Sequence, residues 1–269
     1  MRVKSEFKHE WIRAYIGGLQ ARGVYHFSSR EAQAEMGVSA AAAKLALNRL
    51  AKQKLIASPA RGFYVIVPPE YRSLGSLPAD QFIPELMKRP KKPYYVGLLS
   101  AAQYYGAAHQ RPQEFQVFLP KNRRPIKCGA VRVAFFARKR LGDVPLQNFD
   151  TPRGPLAVSS PEATALDLVG YAHRAGGLAQ VATVLSELVE RLDEQRLAAV
   201  ANTAPVPWVQ RLGYLLEHMG FGSKTHALKE YVRKHARESA ILLPKAPQKR
   251  AHYNKSWKLY VNANIRSEL

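Results

Sequence analysis

The stretch VSAAAAKLALNRLAKQKLI, Val38 to Ile56, constrains the fold more than any other part of the chain. Ser39 is a good N-cap, Ala43, Ala46, Leu47 and Leu50 recur at the three-and-four spacing of one helical stripe, and no Gly or Pro interrupts. The spacing predicts a helix with one packed face. Its opposite face lines up Ala41, Lys44, Asn48 and Lys52, with Arg49 at the margin. Small residues followed by an amide and cations suit a helix lying in a DNA major groove, where bulk near the N-terminus would obstruct docking and Asn can bond adenine through two atoms. An amphipathic helix with a merely solvated polar side fits the same pattern.

The flanking segments favour the first reading. In FSSREAQAEMG, Ser28 and Glu31 have capping-box spacing and open a short helix that buries Ala32 and Met36 and ends at Gly37. The chain from Met36 to Ser39 is long enough only for a tight turn, the connection of a helix-turn-helix. Upstream, Phe7, Trp11, Ile12, Tyr15, Ile16 and Leu19 form the stripe of a first helix closed by Gly23. Downstream, Leu55 and Ile56 lead through SPARG into FYVIV, two β-prone runs around a turn holding Pro59, Arg61 and Gly62. Three helices and a basic hairpin are expected to form a winged helix-turn-helix over residues 1–68. Its DNA-facing candidates are Ser29 and Arg30 on the second helix, Ser39, Lys44, Asn48, Arg49 and Lys52 on the third, and Arg61 on the wing, near a phosphate or the minor groove.

Charge supports a polyanionic partner. The 269 residues carry 41 Lys plus Arg against 20 Asp plus Glu, a formal charge of +21, and neutralising phosphates releases condensed counterions. Residues 1–68 hold eleven Lys or Arg against four Glu, and the stretch from Lys224 holds eleven against three. A ribosomal-type protein or an anionic membrane surface fits the charge equally well. No run of about eighteen apolar residues occurs, and the N-terminus lacks a signal-peptide core, so no membrane association and a cytoplasmic location are expected. The single cysteine, Cys128, and eight scattered histidines offer no zinc-ligand spacing, so neither metal nor cofactor is expected.

Pro68, Pro69, Gly75, Pro78, Pro84 and Pro90 punctuate the next stretch so densely that no long helix is expected, and 69–93 reads as a Pro-rich basic linker. Its end, KRPKKP from Lys88 to Pro93, is either a DNA-tracking arm or a solubilising segment. A larger mixed α/β domain, 94–269, is expected to follow, giving an α+β chain overall. YYVGLLSAAQYYG reads as an apolar helix ending at Gly106, and FQVFL and VRVAFFA as strands joined by the cationic PKNRRPIKCGA. Arg123, Arg124 and Lys127 in that loop, with Arg138, Lys139 and Arg140 past the second strand, are expected to form one compact positive surface. That surface is either a second contact to nucleic acid or partner, or a solvated rim.

In GPLAVSSPEATALDLVGYAHRAGG a short strand, Leu156 to Val158, runs into Ser160 as N-cap, Pro161 at the first helical position and Glu162 at the positive helix end. Glu162 and Asp167 could be taken for the paired acids of a magnesium nuclease, but they stand five apart on a helix and diverge. Helices are expected over Leu178 to Leu192, Asp193 to Ala201 and WVQRLGYLLEHMGF, and WKLYV closes the chain as a strand. Tyr253, Trp257 and Tyr260 among Lys255, Lys258 and Arg266 suit an aromatic, basic nucleic-acid surface, though Trp257 reads better as core. No Gly-rich phosphate loop, HExxH, GxSxG or kinase signature occurs, so a binding protein is favoured over an enzyme.

In the order of its parts the chain resembles the AbiEi-type antitoxins of type IV toxin-antitoxin systems. The likeness rests on an N-terminal winged helix, the YYVGLLSAAQYYG segment, the G-x-L-x-VSSPE-x-T-x-LDL pattern from Gly154 to Leu168, and the late RLGYLLE helix. These motifs are structural and mark no active site. The resemblance implies a phage-defence regulator that represses its own operon by binding promoter inverted repeats on double-stranded DNA. It also implies that the second domain counteracts a nucleotidyltransferase toxin without forming a stable complex with it. The basic linker and tail are consistent with DNA wrapped by both domains. Two other classes stay open: a regulator whose second domain senses a small molecule, and a DNA-docking nuclease relying on Glu162.

Overall fold

The fold is that of a computed structural model, which describes residues 3–88, 92–107, 112–244, 246–249 and 251–265, with side chains from Ile12 onward. It is a mixed α+β architecture. The expected packing of the Phe7 and Trp11 side chains, Arg266, and the Arg89–Lys91 part of the basic cluster lie outside what is described.

Helix α1, Val3–Ala21, buries Ile12, Ile16 and Leu19 and stops at Gly23, whose φ of +71° admits the left-handed turn. A three-residue strand that periodicity does not reveal, β1 His26–Ser28, comes next. Helix α2, Ser29–Met36, opens with the expected reciprocal capping box of Ser28 and Glu31 and ends at Gly37. Helix α3, Ala40–Lys52, leads into the hairpin of β2, Ile56–Ala60, and β3, Phe63–Ile66. The sheet order is β1-β3-β2, all antiparallel. One side of this sheet closes over Ile12, Ile16, Leu19, Phe27, Ala32, Leu47 and Leu50. Its other side, through Ala57, Phe63, Val65 and Val67, shares a core with Leu77, Phe82, Ile83 and Leu86.

The stretch expected to be a linker is thus part of the core. Helix α4, Ala79–Lys88, contains Pro84 and buries Phe82, Ile83, Leu86 and Met87 between the hairpin and the large sheet. Pro inside a helix costs about 3 kcal/mol, and burying four large apolar side chains at about 1.5–3 kcal/mol each outweighs that. Arg153 lies 3.2 Å over the Tyr25 ring and His26 stands 3.5 Å from Glu85, so the N-terminal unit is also held at its edge.

The large sheet has the order β6-β7-β5-β4-β9-β8. Its first member, β4 Tyr95–Val96, lies inside the segment expected to be all helix; α5, Leu98–Tyr104, opens with Leu98 at a φ of +55°. Strands β5, Phe115–Leu119, β6, Ile126–Cys128, and β7, Val131–Ala137, form one half, with β5 and β7 parallel. Strands β8, Leu146–Thr151, and β9, Gly154–Ser159, form the other, with β9 parallel to β4. Helices α6, Pro161–Gly170, α7, Leu178–Leu188, α8, Glu194–Ala201, α9, Val206–His218, and α10, His226–His235, build the principal core against the face carrying Tyr95 and Phe118. A small sheet, β10 Ala240–Ile241, β12 Leu259–Val261 and β11 His252–Asn254 in that spatial order, ends the fold and buries Trp257 completely. Among the described residues no helix is long and apolar enough to cross a membrane.

Candidate nucleic-acid interface

The third helix is fixed from both ends. The Ser39 hydroxyl accepts from the Ala42 amide at 3.3 Å, and at the far end the Gln53 side chain accepts from Arg13 at 3.3 Å. Ala43, Leu47 and Leu50 are buried, so the outward side is determined by the 100° helical step rather than by local choice. Ala41, Lys44, Asn48, Arg49 and Lys52 are all exposed on that side. Leu45, at 61 % exposure, joins them as an apolar residue that the charge pattern passes over.

The hairpin turn sits beside the start of α2. The Ser29 amide donates to the Gly62 carbonyl at 3.2 Å, and the Ser58 hydroxyl donates to the carbonyls of Ala60 and Phe63 at 3.0 and 3.1 Å. These bonds pin the two-residue tip, where Gly62 has a φ of +72° and Arg61 projects into solvent. Half-buried Ser29 therefore adjoins Gly62 of the turn, exposed Arg30 follows it, and Ser39 is occupied as a cap.

The second basic surface does not form as one patch. Arg138 is buried: its guanidinium pairs with Asp167, donates to the Tyr95 hydroxyl at 3.1 Å and to the Thr203 carbonyl at 3.1 Å, and faces the Trp208 ring. It belongs to the core. Lys127 lies on β6 opposite Arg132, toward the start of β7 and away from Arg138. Arg123, Arg124, Lys139 and Arg140 remain at the shared end of β5 and β7, where Leu119 neighbours Ala137. Arg140 is tied to Asp143 at 2.7 Å and to the Asn202 carbonyl at 3.1 Å. Arg123 is half-buried, with its guanidinium 5.0 Å over Phe135 and, among the described residues, the Met87 sulfur at 3.8 Å as its acceptor, and burial lowers its pKa.

What the sequence does not disclose is a cleft of about 730 Å³ between the hairpin tip and the loop after β5. Arg61, Lys92, Lys121 and Arg123 line it around a floor of Phe63, Leu86, Met87, Leu119 and Pro120. Lys121 stands in the PKNRRP run, but nothing in one dimension places it across from Arg61.

The acids of α6 are structural. Glu162 accepts from the Asp193 amide at 3.2 Å, holding the start of α8, while Asp167 accepts from the Tyr95 hydroxyl at 2.9 Å. Burial pushes the Tyr95 phenol above its ordinary range despite the adjacent Arg138, so it stays a donor. Glu162 and Asp167 thus serve different partners and form no metal-binding pair. No cluster of three His, Cys, Asp or Glu occurs among the described residues.

Comparison with known proteins adds three findings. Residues 95–218, from β4 through α9, match the family profile of the AbiEi antitoxin C-terminal domain. The crystal structure of the RV2827C protein from Mycobacterium tuberculosis superposes with a TM-score of 0.69 over 93 % of this chain and 91 % of that one, at 17 % identity, a likeness of fold. No curated protein sequence matches the chain.

Proposed function

We propose that this chain, an AbiEi-type antitoxin by its residues 95–218, is a two-function regulator that binds its own promoter and counteracts the toxin encoded beside it. Residues 1–68 act as a winged helix-turn-helix, with α3 in the major groove and Arg61 on the wing; residues 94–269 act as the antitoxin domain, and α4 packs between the hairpin and the large sheet. The carrying observation is that Lys44, Asn48, Arg49 and Lys52 are exposed together on a helix whose other side is core. An element so oriented presents one amide for base readout and three cations for phosphate. The target is double-stranded DNA with inverted repeats, since a pair of such units reads two half-sites. The toxin is a nucleotidyltransferase, antagonised without a stable complex, and the protein itself performs no chemistry: it needs neither metal nor cofactor and works in the cytoplasm.

The test separates the two functions in the intact chain. Lys44→Glu/Lys52→Glu should abolish binding to a duplex spanning the operon promoter, read by fluorescence anisotropy at fixed salt, and release a promoter-driven reporter. The same variant should still restore growth to cells expressing the neighbouring nucleotidyltransferase. Promoter binding at wild-type strength refutes the role of α3, and a wild-type chain that restores no growth refutes the antitoxin role.

A further inference from the structure

We propose that the cleft between the hairpin tip and the loop after β5 binds a small ligand of the nucleoside di- or triphosphate class, and that the ligand competes with DNA for Arg61. The binding half stands on the cleft alone; the competition half rests on the DNA-binding function proposed above.

Size comes first. At about 730 Å³ the cleft falls within the 300–1,000 Å³ usual for small-molecule sites, and it is concave, whereas a duplex meets a protein through protruding helices and wing tips. Its lining then selects the charge. Among the described lining residues four are cations, Arg61, Lys92, Lys121 and Arg123, and none is a carboxylate. One phosphate, at about −1.5 to −2, would leave about half of that charge uncompensated, and two or three linked phosphates would leave less.

Arg123 is the anchor. Its guanidinium carbon lies 5.0 Å from the centre of the Phe135 ring, and its acceptor is a thioether, which is weak. A planar fork of donors held half-buried with so poor a partner is suited to a bidentate phosphate. The floor supplies the other half of an amphiphilic ligand. Phe63, Leu86, Met87, Leu119 and Pro120 offer apolar contact for a base and sugar, and the Asn122 amide at the rim has both a donor and an acceptor for a base edge. Because Arg61 lines the cleft from the tip of the same hairpin, a bound polyphosphate occupies the cation that the wing would offer to DNA.

Calorimetric titration of the full chain, free of DNA, at about 0.15 M salt tests the site. ATP, GTP and CTP are compared with inorganic triphosphate and with adenosine. At least one nucleotide should give saturable one-site binding, weakened at least about tenfold by Arg123→Ala and by Lys121→Ala. Lys121 is exposed, so its variant keeps the test sound should Arg123→Ala fail to fold. Lys139→Ala/Arg140→Ala, which removes two cations at the same end of the sheet that do not line the cleft, should leave binding within about twofold. No saturable binding, or equal loss in that control, overturns the site; inorganic triphosphate binding as tightly as every nucleotide overturns the role of the apolar floor. In anisotropy titrations the ligand should weaken promoter binding by the wild type but not by Arg123→Ala, and unchanged affinity overturns the competition. A protein that binds no DNA under any condition refutes the DNA-binding function while leaving the calorimetric result to decide the cleft.

Discussion

Arg138, at the end of β7, and Asp167, on α6, form an ion pair from which water is excluded, with side-chain exposures of 6 % and 0 %. The pair joins the sheet to the helical layer, and Tyr95 and Thr203 complete its hydrogen bonds. Removing one member strands a charge in the core. Arg138→Ala or Asp167→Ala should each cost about 3–5 kcal/mol in urea unfolding at constant slope. Replacing both with apolar residues, Arg138→Met/Asp167→Leu, should cost far less than the sum. Additive losses would mean that the two side chains do not depend on each other.

On α3, the two exposed side chains should fail differently. Asn48→Ala should relax discrimination at one or two base pairs by about 1–3 kcal/mol, whereas Lys52→Ala should weaken every duplex alike and flatten the salt dependence by about one counterion. Binding curves on promoter and scrambled duplexes, taken at several salt concentrations, distinguish the two. If both variants shift both duplexes equally, Asn48 does not read bases.

How legible the fold is in the chain depends on how local each determinant is. The α3 stripe, the Ser28–Glu31 box and the Ser160–Pro161 helix start are written within a few neighbouring residues, and the structure places them as expected. Tyr95 and Val96 merge into the following helix in sequence because a two-residue strand has no period to detect; its identity comes from pairing with Phe118 and Val158. Helix α4 is hidden by Pro84, whose local cost is offset only by distant packing partners. Arg138 reads in sequence as one member of an exposed Arg-Lys-Arg run. Alternation along β7 puts it on the face of Phe136, however, and an aspartate amid the apolar residues of α6 demands a buried cation, so both signals are present but lie some thirty residues apart.

Gly213 on α9 is where the indole of buried Trp257 rests; a Cβ there would overlap the ring. Gly→Ala in a helix ordinarily stabilises by about 0.5–1 kcal/mol. Gly213→Ala should reverse that sign and destabilise by about 1–3 kcal/mol through overpacking. Gly17→Ala on α1, where no atom lies within 4 Å of the added carbon, should show the ordinary gain. Thermal melts of the two variants should therefore move in opposite directions. A Gly213→Ala protein as stable as wild type would show that Trp257 can be displaced without cost.

One turn further along α9, Glu217 receives the Trp257 indole N–H and pairs with Lys229. Burial alone would raise its pKa, but the hydrogen bonds from Lys229 and Trp257, with the attraction of Lys229 and His226, outweigh it and hold the carboxyl below its ordinary 4.5. A carboxylate whose folded pKa is depressed adds stability that is fully present above its unfolded pKa and is lost as the pH falls through the folded one, because the unfolded chain takes up the proton first. Glu217→Gln should therefore be less stable than wild type at neutral pH, and the gap should narrow as the pH is lowered below the ordinary 4.5 and through the folded pKa. Denaturant unfolding of both proteins across that range measures it. Parallel stability curves would show that Glu217 keeps the same proton affinity folded and unfolded, and that its contacts to Lys229 and Trp257 contribute nothing through charge.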